Sequence, residues 1–336
     1  MVGMRDVAKK AGVSLSTVSL VVNGNGYVSN DMRDRVRKAM QALNYVPNEL
    51  ARNLYHDRTN LVGVIVPTIR HPFFATFTAH LQHALAAQGL RTMLCSTTDE
   101  TDGEIQYVDM LRRHMMDGIV MCAHTSHPGD YWTSIHRPIV AFDRVLGDGI
   151  SSIGSDHEQG GRLIAQMLIR NGAKHVVMIG GPRDQFFDLA VRGEVEEGSF
   201  DLGKTTFPTV RYYLTLEQEL TSAGVKYEYI EAGEVMDFAG YHRAVSRALD
   251  GVATDGVDAV VSSDIGAAFC VREALSRGIS IPDELQVVAY DGTYLTDLAG
   301  MKLTAVAQDF SAIAQSAAVL AMISLKEAME YGTPFS

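Results

Sequence analysis

Cysteine is scarce in this chain: 336 residues contain three, Cys95, Cys122 and Cys270. They lie far apart with no partner at metal-ligand spacing, so neither a disulfide framework nor a cysteine-based metal site is predicted. Reduced thiols in a cytoplasm are the expectation. Long apolar runs are missing too. No window of eighteen apolar residues could span a bilayer, and Arg5, Asp6, Lys9 and Lys10 stand where a signal peptide needs its apolar core. The prediction is a soluble, unexported protein without membrane contact. The common catalytic signatures are also absent. No G-x-G-x-x-G follows the first apolar run, Gly180-Gly181-Pro182 lacks the spacing of a helix-opening phosphate loop, and no nucleophile stands on a G-x-S-x-G elbow. His124 and His127 have no third ligand at suitable spacing and read as exposed loop histidines. No enzyme, metal or cofactor is predicted.

Positive charge is the last shortage, with 29 Lys and Arg against 40 Asp and Glu, a net of −11. That balance disfavours nucleic acid until it is divided along the chain. Residues 1–58 hold nine Lys and Arg against five Asp and Glu, a net of +4, which leaves −15 for the remainder. A basic segment is drawn to phosphate by counterion release, whereas an acidic body is repelled from it. The length suits two or three domains, and a hydrophobic fraction of 46% suffices to bury their cores.

Residues 13–23, VSLSTVSLVVN, lie inside the basic segment. Ser14 is placed to cap a helix by accepting first-turn amide hydrogens; Thr17 and Ser19 keep the next turn polar, and Val18, Val21 and Val22 form an apolar side. Upstream, residues 5–11 make another helical pattern with Val7, Ala8 and Ala11 on one face. Gly12 stands where a sharp turn needs positive φ. Two helices joined by a short Gly-containing turn describe a helix-turn-helix, a pattern that all-α proteins also show without binding DNA. The context adds a turn at 24–27, a second N-cap at Ser29, and a third helix with Val36, Met40 and Leu43 at i, i+4 and i+7. Pro47 ends it, and Asn48 caps a short segment at 49–55.

In order, DVAKKAGVSLSTVSLVVNG, VSNDMRDRVRKAMQALNYVPN and ELARNL closely resemble the DNA-binding headpiece of the lactose repressor and galactose repressor (LacI/GalR) family. The resemblance implies that Leu15 and Ser16 read bases in the major groove, that Ser14, Thr17 and Asn23 suit phosphate contacts, and that Ser19 belongs to the same DNA-binding set. Leu20 stands where the family often has an arginine, so the facing operator bases are expected to differ. Asn48, Ala51, Arg52 and Leu54 fall in the segment that becomes a hinge helix on DNA. There a leucine from each of two subunits enters the minor groove, and Leu54 occupies that place. A homodimer on a palindromic double-stranded operator follows.

From Asn60 onward, short β-branched runs alternate with longer helical ones. Residues 61–66, 92–96, 118–122, 139–143, 176–179, 227–230, 259–262 and 286–290 read as buried strands of parallel sheet. Helices are predicted at 74–88, 104–117, 158–171, 241–250 and 267–277, with Gly89, Gly118, Gly172, Gly251 and Gly278 as left-handed caps. Such α/β layers bind ligands beyond the carboxyl ends of their strands. The residues found there are the His71–Phe74 stretch HPFF, Cys122, Asp143 and Arg144, Ser263 and Asp264, Asp291, and Gln308. Carboxylates, a guanidinium and aromatic faces together suit a polyhydroxylated ligand, although each single Asp could equally cap a helix or turn.

This region resembles the family's effector-binding core, which is similar to periplasmic sugar-binding proteins: two subdomains with a small molecule, most often a sugar, between them. The resemblance implies ligand contacts at Phe73, Phe74, Asp143, Asp291 in VVAYDGT and Gln308 in TAVAQDF. Ligand closure would order or disorder the hinge segment. The family's Asn-Asp pair is Ser263-Asp264 here. The clamp arginine of its R-x-x-G-F pattern aligns at Tyr212, with Arg211 adjacent and Arg192 upstream, and the segment 182–210 is longer than expected. The expected organisation is an all-α headpiece at 1–46, a hinge and linker at 47–59, and an α/β core at 60–336. Within that core, 60–157 is grouped with 292–320, and 158–291 with 321–336. The chain stops at Ser336 where relatives continue into a further strand, so a truncated C-terminus is expected. A periplasmic-type sugar carrier would share the core without needing residues 1–58, and a Rossmann-type enzyme would share only the β-α alternation.

Overall fold

The computed structural model describes residues 2–24, 26–47, 58–97, 103–123, 127, 130–187, 205–234 and 237–330. Two compact units divide the chain, residues 1–59 and 60–336. No described helix is long and apolar enough to cross a membrane.

The first unit is built from α1 (Met4–Ala11), α2 (Leu15–Asn23) and α3 (Asn30–Ala42). Each helix start is chemically marked. The Gly3 amide donates to Asp6 Oδ2 at 2.9 Å, Ser14 Oγ accepts from the Thr17 amide at 3.1 Å, and Ser29 Oγ accepts from the Met32 amide at 3.4 Å. Val7, Ala8, Ala11, Val18, Val36 and Ala39 form the buried core, with Val21, Val22, Met40 and Leu43 packed at its margin. Gly12 turns the chain at φ 62°. Arg35 of α3 locks this turn, donating from Nε and Nη2 to the Ala11 carbonyl at 3.1 and 2.7 Å and from Nη2 to the Gly12 carbonyl at 2.9 Å. α3 stops at Ala42, ahead of Pro47, because Asn44 takes a left-handed φ of 47°.

The second unit holds two five-stranded parallel sheets. The first contains β1 (Leu61–Val66), β2 (Arg91–Ser96), β3 (Gly118–Met121), β4 (Ile139–Phe142) and β5 (Ser151–Ile153) in the order β2-β1-β3-β4-β5. The second contains β6 (His175–Gly180), β7 (Lys226–Glu231), β8 (Ala259–Ser263), β9 (Gln286–Asp291) and β10 (Thr304–Ala307) in the order β10-β9-β8-β6-β7. Central strands such as β6 are buried at every position, while the outer strands β2 and β7 keep exposed residues, as expected for edges.

Helices cover both faces of each sheet. On the first sheet, α4 (Pro72–Ala87) packs one face through Phe77, Leu81 and Leu85, and α5 (Gly103–Arg112) packs the other through Val108 and Leu111. On the second, α6 (His157–Arg170) and α7 (Val210–Ser222) cover one face, and α8 (Phe238–Thr254) and α9 (Asp264–Ser276) the other. A Cβ on Gly161 would stand 2.7 Å from the Tyr212 carbonyl oxygen, so this glycine permits the close approach of α6 to α7. A short helix α10 (Leu295–Leu298) precedes β10, and the long α11 (Phe310–Glu330) follows it.

Three expectations are corrected. Residues 292–320 do not belong with the first sheet as a block, since β10 pairs with β9 (Thr304 with Val288, Ala307 with Asp291). Nor does the later tail join the second: α11 runs on the first subdomain, where Ala321 and Leu325 share a core with Val62 and Val120. The chain therefore crosses back only after β10, and the alanines at 314, 317, 318 and 321 give α11 a flat side on which to return. Finally, Gly118 opens β3 and Gly251 lies within α8, so neither caps a helix, whereas Gly89, Gly172 and Gly278 have φ of 76°, 80° and 75°.

Candidate functional site

In the first unit the N-terminal turn of α2 is the exposed feature. Ser14, Leu15 and Ser16 are all exposed, with Leu15 at 45%. Ser14 Oγ also lies 2.7 Å from Ser16 Oγ and 2.8 Å from Thr17 Oγ1, which fixes these hydroxyls as a group. Leu20 is 37% exposed on the next turn. Asn23 donates to Ser19 Oγ at 3.2 Å, so both are held along the helix. Asn48, Ala51, Arg52 and Leu54 lie outside the described residues.

In the second unit a cavity of about 180 Å³ opens among the carboxyl ends of both sheets. Phe73 and Phe74 reach it from the first turn of α4, Cys122 from the end of β3, and Asp143 and Arg144 from the end of β4. From the second sheet come Ser263, Asp291 and Gln308, with Tyr212 from α7. One wall is thus phenylalanine-rich, with Phe77 stacked under Phe142 at 4.1 Å; the other is tyrosine-rich, with Tyr212 stacked on Tyr290 at 3.9 Å and 7°.

Hydrogen bonds tie the two subdomains together around this space. His157 contacts Asp143 Oδ1 through Nε2 at 2.9 Å and the Tyr290 hydroxyl through Nδ1 at 2.7 Å. Ser155, where the chain leaves the first sheet, donates to Gln308 Oε1 at 2.6 Å, where it returns. Gln308 Nε2 in turn donates to Asp291 Oδ1 at 2.8 Å. Burial, then the charges of Asp264 and Asp143, push the Asp291 carboxyl well above the usual carboxylate range, with the Gln308 bond opposing them. Asp143 and Asp291 both hold positive φ, 46° and 125°, a conformation that tertiary contacts must sustain.

Residues 3–48 match the family of bacterial regulatory proteins of the lacI type. Residues 59–202 match the periplasmic binding proteins and sugar binding domain of the LacI family, and residues 165–330 match a periplasmic binding protein-like domain. The sucrose operon repressor of Streptococcus mutans is 31% identical over 333 residues, which cover 98% of this chain and 94% of the relative. This chain belongs to the LacI family. Its relatives include the ribose operon repressor of Bacillus subtilis, 30% identical over 97% of this chain and 93% of that protein. In fold, the LacI-family chain is similar to a crystal structure of the Lac repressor bound to ONPG, with a TM-score of 0.76 and 22% identity over 97% of this chain and 94% of that one. It is a member of a family of regulators and not of enzymes.

Of the effector residues expected from the sequence of this LacI-family protein, Phe73, Phe74, Cys122, Asp143, Arg144, Tyr212, Ser263, Asp291 and Gln308 line the cavity. Three do not. Asp264 is buried one layer back, where it accepts from Thr293 N and Oγ1, both at 2.6 Å, and from Gly292 N at 3.2 Å; as the first residue of α9 it braces the loop behind Asp291. Arg211 is turned toward α6, with Nη1 3.9 Å from Glu158 Oε1. Arg192 lies outside the described residues. His127 is half-buried, paired with Glu104 at 2.8 Å and stacked on Tyr131 at 3.7 Å, and His124 lies outside the described residues.

Several lining residues escaped the sequence reading: Phe142, Tyr213, Tyr241, Tyr290, Phe207 and, among the polar ones, Glu234. Tyr290 carried a signal, since it adjoins Asp291 at a strand end. Phe207 carried none; it comes from the long segment after β6, which the Val145 amide ties to the first subdomain by donating to the Thr206 carbonyl at 3.0 Å. His71 stood in the HPFF stretch and caps α4, its Nδ1 accepting from the Phe73 amide at 3.3 Å. Burial lowers its pKa to about 4, so the ring is neutral at physiological pH and carries its remaining proton on Nε2.

Proposed function

We propose that this chain is a cytoplasmic repressor that binds a two-fold-symmetric operator as a homodimer and answers to a small polyhydroxylated effector, a sugar or sugar derivative. The observation that carries the reading is the pairing, in one chain, of a capped helix with an exposed N-terminal turn and a cavity lined by carboxylates and aromatic rings from two sheets. Leu15 and Ser16 read base edges; Ser14, Thr17, Ser19 and Asn23 hold phosphates; and Leu20 brings an apolar contact to a position where an arginine would select guanine. Asn48, Ala51, Arg52 and Leu54 belong to the hinge, and Leu54 is the minor-groove wedge.

In the cavity, Phe73 and Phe74 cover the apolar face of a ring, while Asp143, Asp291, Arg144, Ser263 and Gln308 exchange hydrogen bonds with its hydroxyls. Cys122 and Tyr212 complete the wall by packing. Effector control runs through the crossovers, because the Ser155–Gln308 and Gln308–Asp291 bonds couple the ligand's carboxylate partner to the segments about which the subdomains close. The sucrose and ribose operon repressors among the relatives support a saccharide class.

The test is operator selection from a random DNA pool at fixed salt, with and without a panel of mono- and disaccharides. A palindrome with a flexible central step, its enrichment changed by one sugar, is the expected result. No enrichment from a folded dimer would refute the reading.

A further inference from the structure

Resting on the sugar reading of the cavity, we infer that its effector carries no anionic group: it is a neutral polyol or glycoside, not a sugar phosphate or sugar acid. Three carboxyl side chains line the cavity, Asp143, Glu234 and Asp291, and Asp264 stands directly behind. Among the described residues, Arg144 is the single guanidinium or ammonium group on the lining. That guanidinium is already committed: Nε donates to the Ala123 carbonyl at 3.3 Å, Nη1 donates to the Asp143 carbonyl, and the group lies 4.5 Å over the Phe207 ring. It braces the two walls through its Nε and Nη1 donors and the face of its guanidinium plane.

Helix N-termini could supply the missing positive potential, and three of them reach this space. Each is partly used or countered. At α4, Pro72 has no amide hydrogen and the Phe73 amide is taken by His71 Nδ1. At α7, the amides of Val210, Arg211 and Tyr212 donate to the carbonyls of Phe207, Pro208 and Thr209 at 3.0, 3.0 and 3.3 Å. At α9 the first residue is Asp264, an acidic side chain in the first turn that offsets the positive end of the helix. The other donors on the lining are neutral: His71 Nε2–H, tyrosine hydroxyls and the Ser263 hydroxyl, which donates to the Tyr241 hydroxyl at 3.4 Å. Their match is a sugar hydroxyl, which donates to a carboxylate and accepts from a neutral N–H or O–H. A phosphate placed here would lose its hydration shell, meet a single guanidinium among the described residues and add its charge to a lining that already holds three carboxyl groups.

The experiment is calorimetric titration of the full chain with three neutral sugars, ribose, glucose and sucrose, and with ribose 5-phosphate, glucose 6-phosphate, sucrose 6-phosphate and gluconate. The expected result is binding of a neutral sugar with its own phosphate ester weaker by on the order of 100-fold, like charge at a desolvated site acting against the ester. In Glu234→Lys, at a position exposed enough to accept the change, that ratio is expected to narrow by about tenfold through gain by the ester. A phosphate ester or gluconate that binds the unaltered chain as tightly as any neutral sugar overturns the inference. Binding by no compound of either class, with palindrome selection intact, overturns the sugar reading itself along with it.

Discussion

The two units carry function in opposite ways. In the headpiece the candidate contacts follow one another along a single helix, residues 14–23, and Ser14, Leu15, Ser16 and Leu20 among them are exposed. In the core the candidate contacts are drawn from Pro67 to Gln308, and most are buried. A surface that must meet a rigid external duplex is written locally, as a capped helix. A cavity that must enclose a small ligand takes one or two residues from each strand end, because no single element can surround it. The headpiece is therefore fragile at a few local points, whereas the core is sensitive wherever long-range bonds hold a side chain in place.

The largest expected effect breaks the comparison at the headpiece core. Val36→Asp puts an unpaired charge among Val7, Val18 and Ala39, a change too costly for so small a core. Operator affinity should fall by at least about 100-fold, several kcal/mol of lost stability being enough to unfold the headpiece. Sugar binding and the main thermal transition of the core should stay in place. Parallel loss of both, followed by filter binding and calorimetry, would show that the units are not independent.

The next effect sharpens the comparison through acid. His71 holds a folded-state pKa of about 4 against an ordinary 6.5, so between these values the unfolded chain binds a proton that the native core refuses. Stability contributed here is fully present above pH 6.5, falls as pH drops toward 4, and changes no further below that. The loss amounts to about 3 kcal/mol across the window. Urea unfolding of the core in the wild type and in His71→Asn, which keeps a capping acceptor but cannot titrate, should differ in slope with pH by this amount. Identical slopes would mean that the ring takes up its proton equally in the folded and unfolded chain, and would overturn this account.

The smallest effect is the most local. Ser14→Ala removes the hydroxyl that accepts from the Thr17 amide and should lower headpiece stability by about 1 kcal/mol. Amide exchange should speed up in the first turn of α2 and leave the core untouched.

These contrasts also explain what could be read before folding. Ser14, Gly12 and the valines of α2 are legible because capping, turn geometry and helical periodicity act over a few residues. Eight of the ten described strands announce themselves as β-branched runs, while β5 and β10 do not, because SSI is short and mostly polar and TAVA is short and half alanine, both at a sheet edge. Strand-end logic located Asp143, Asp291 and Gln308. It could not tell that Asp264 turns away to brace Gly292 and Thr293, or that Arg211 turns to Glu158, since a side chain's direction at a helix start depends on which neighbour offers the better partner.

By itself, then, the sequence determined a basic three-helix headpiece, an acidic α/β core and the strand ends from which a site could be built, since local propensity, charge and periodicity are properties of neighbouring residues. Only the tertiary structure decided that β10 joins the second sheet while α11 returns to the first, and that His157 links Asp143 to Tyr290. It alone placed Phe207 and the tyrosines opposite Phe73. Several of those outcomes depend on contacts between residues more than a hundred positions apart, such as His157 with Tyr290 and Ser155 with Gln308, whose pairing no local pattern encodes.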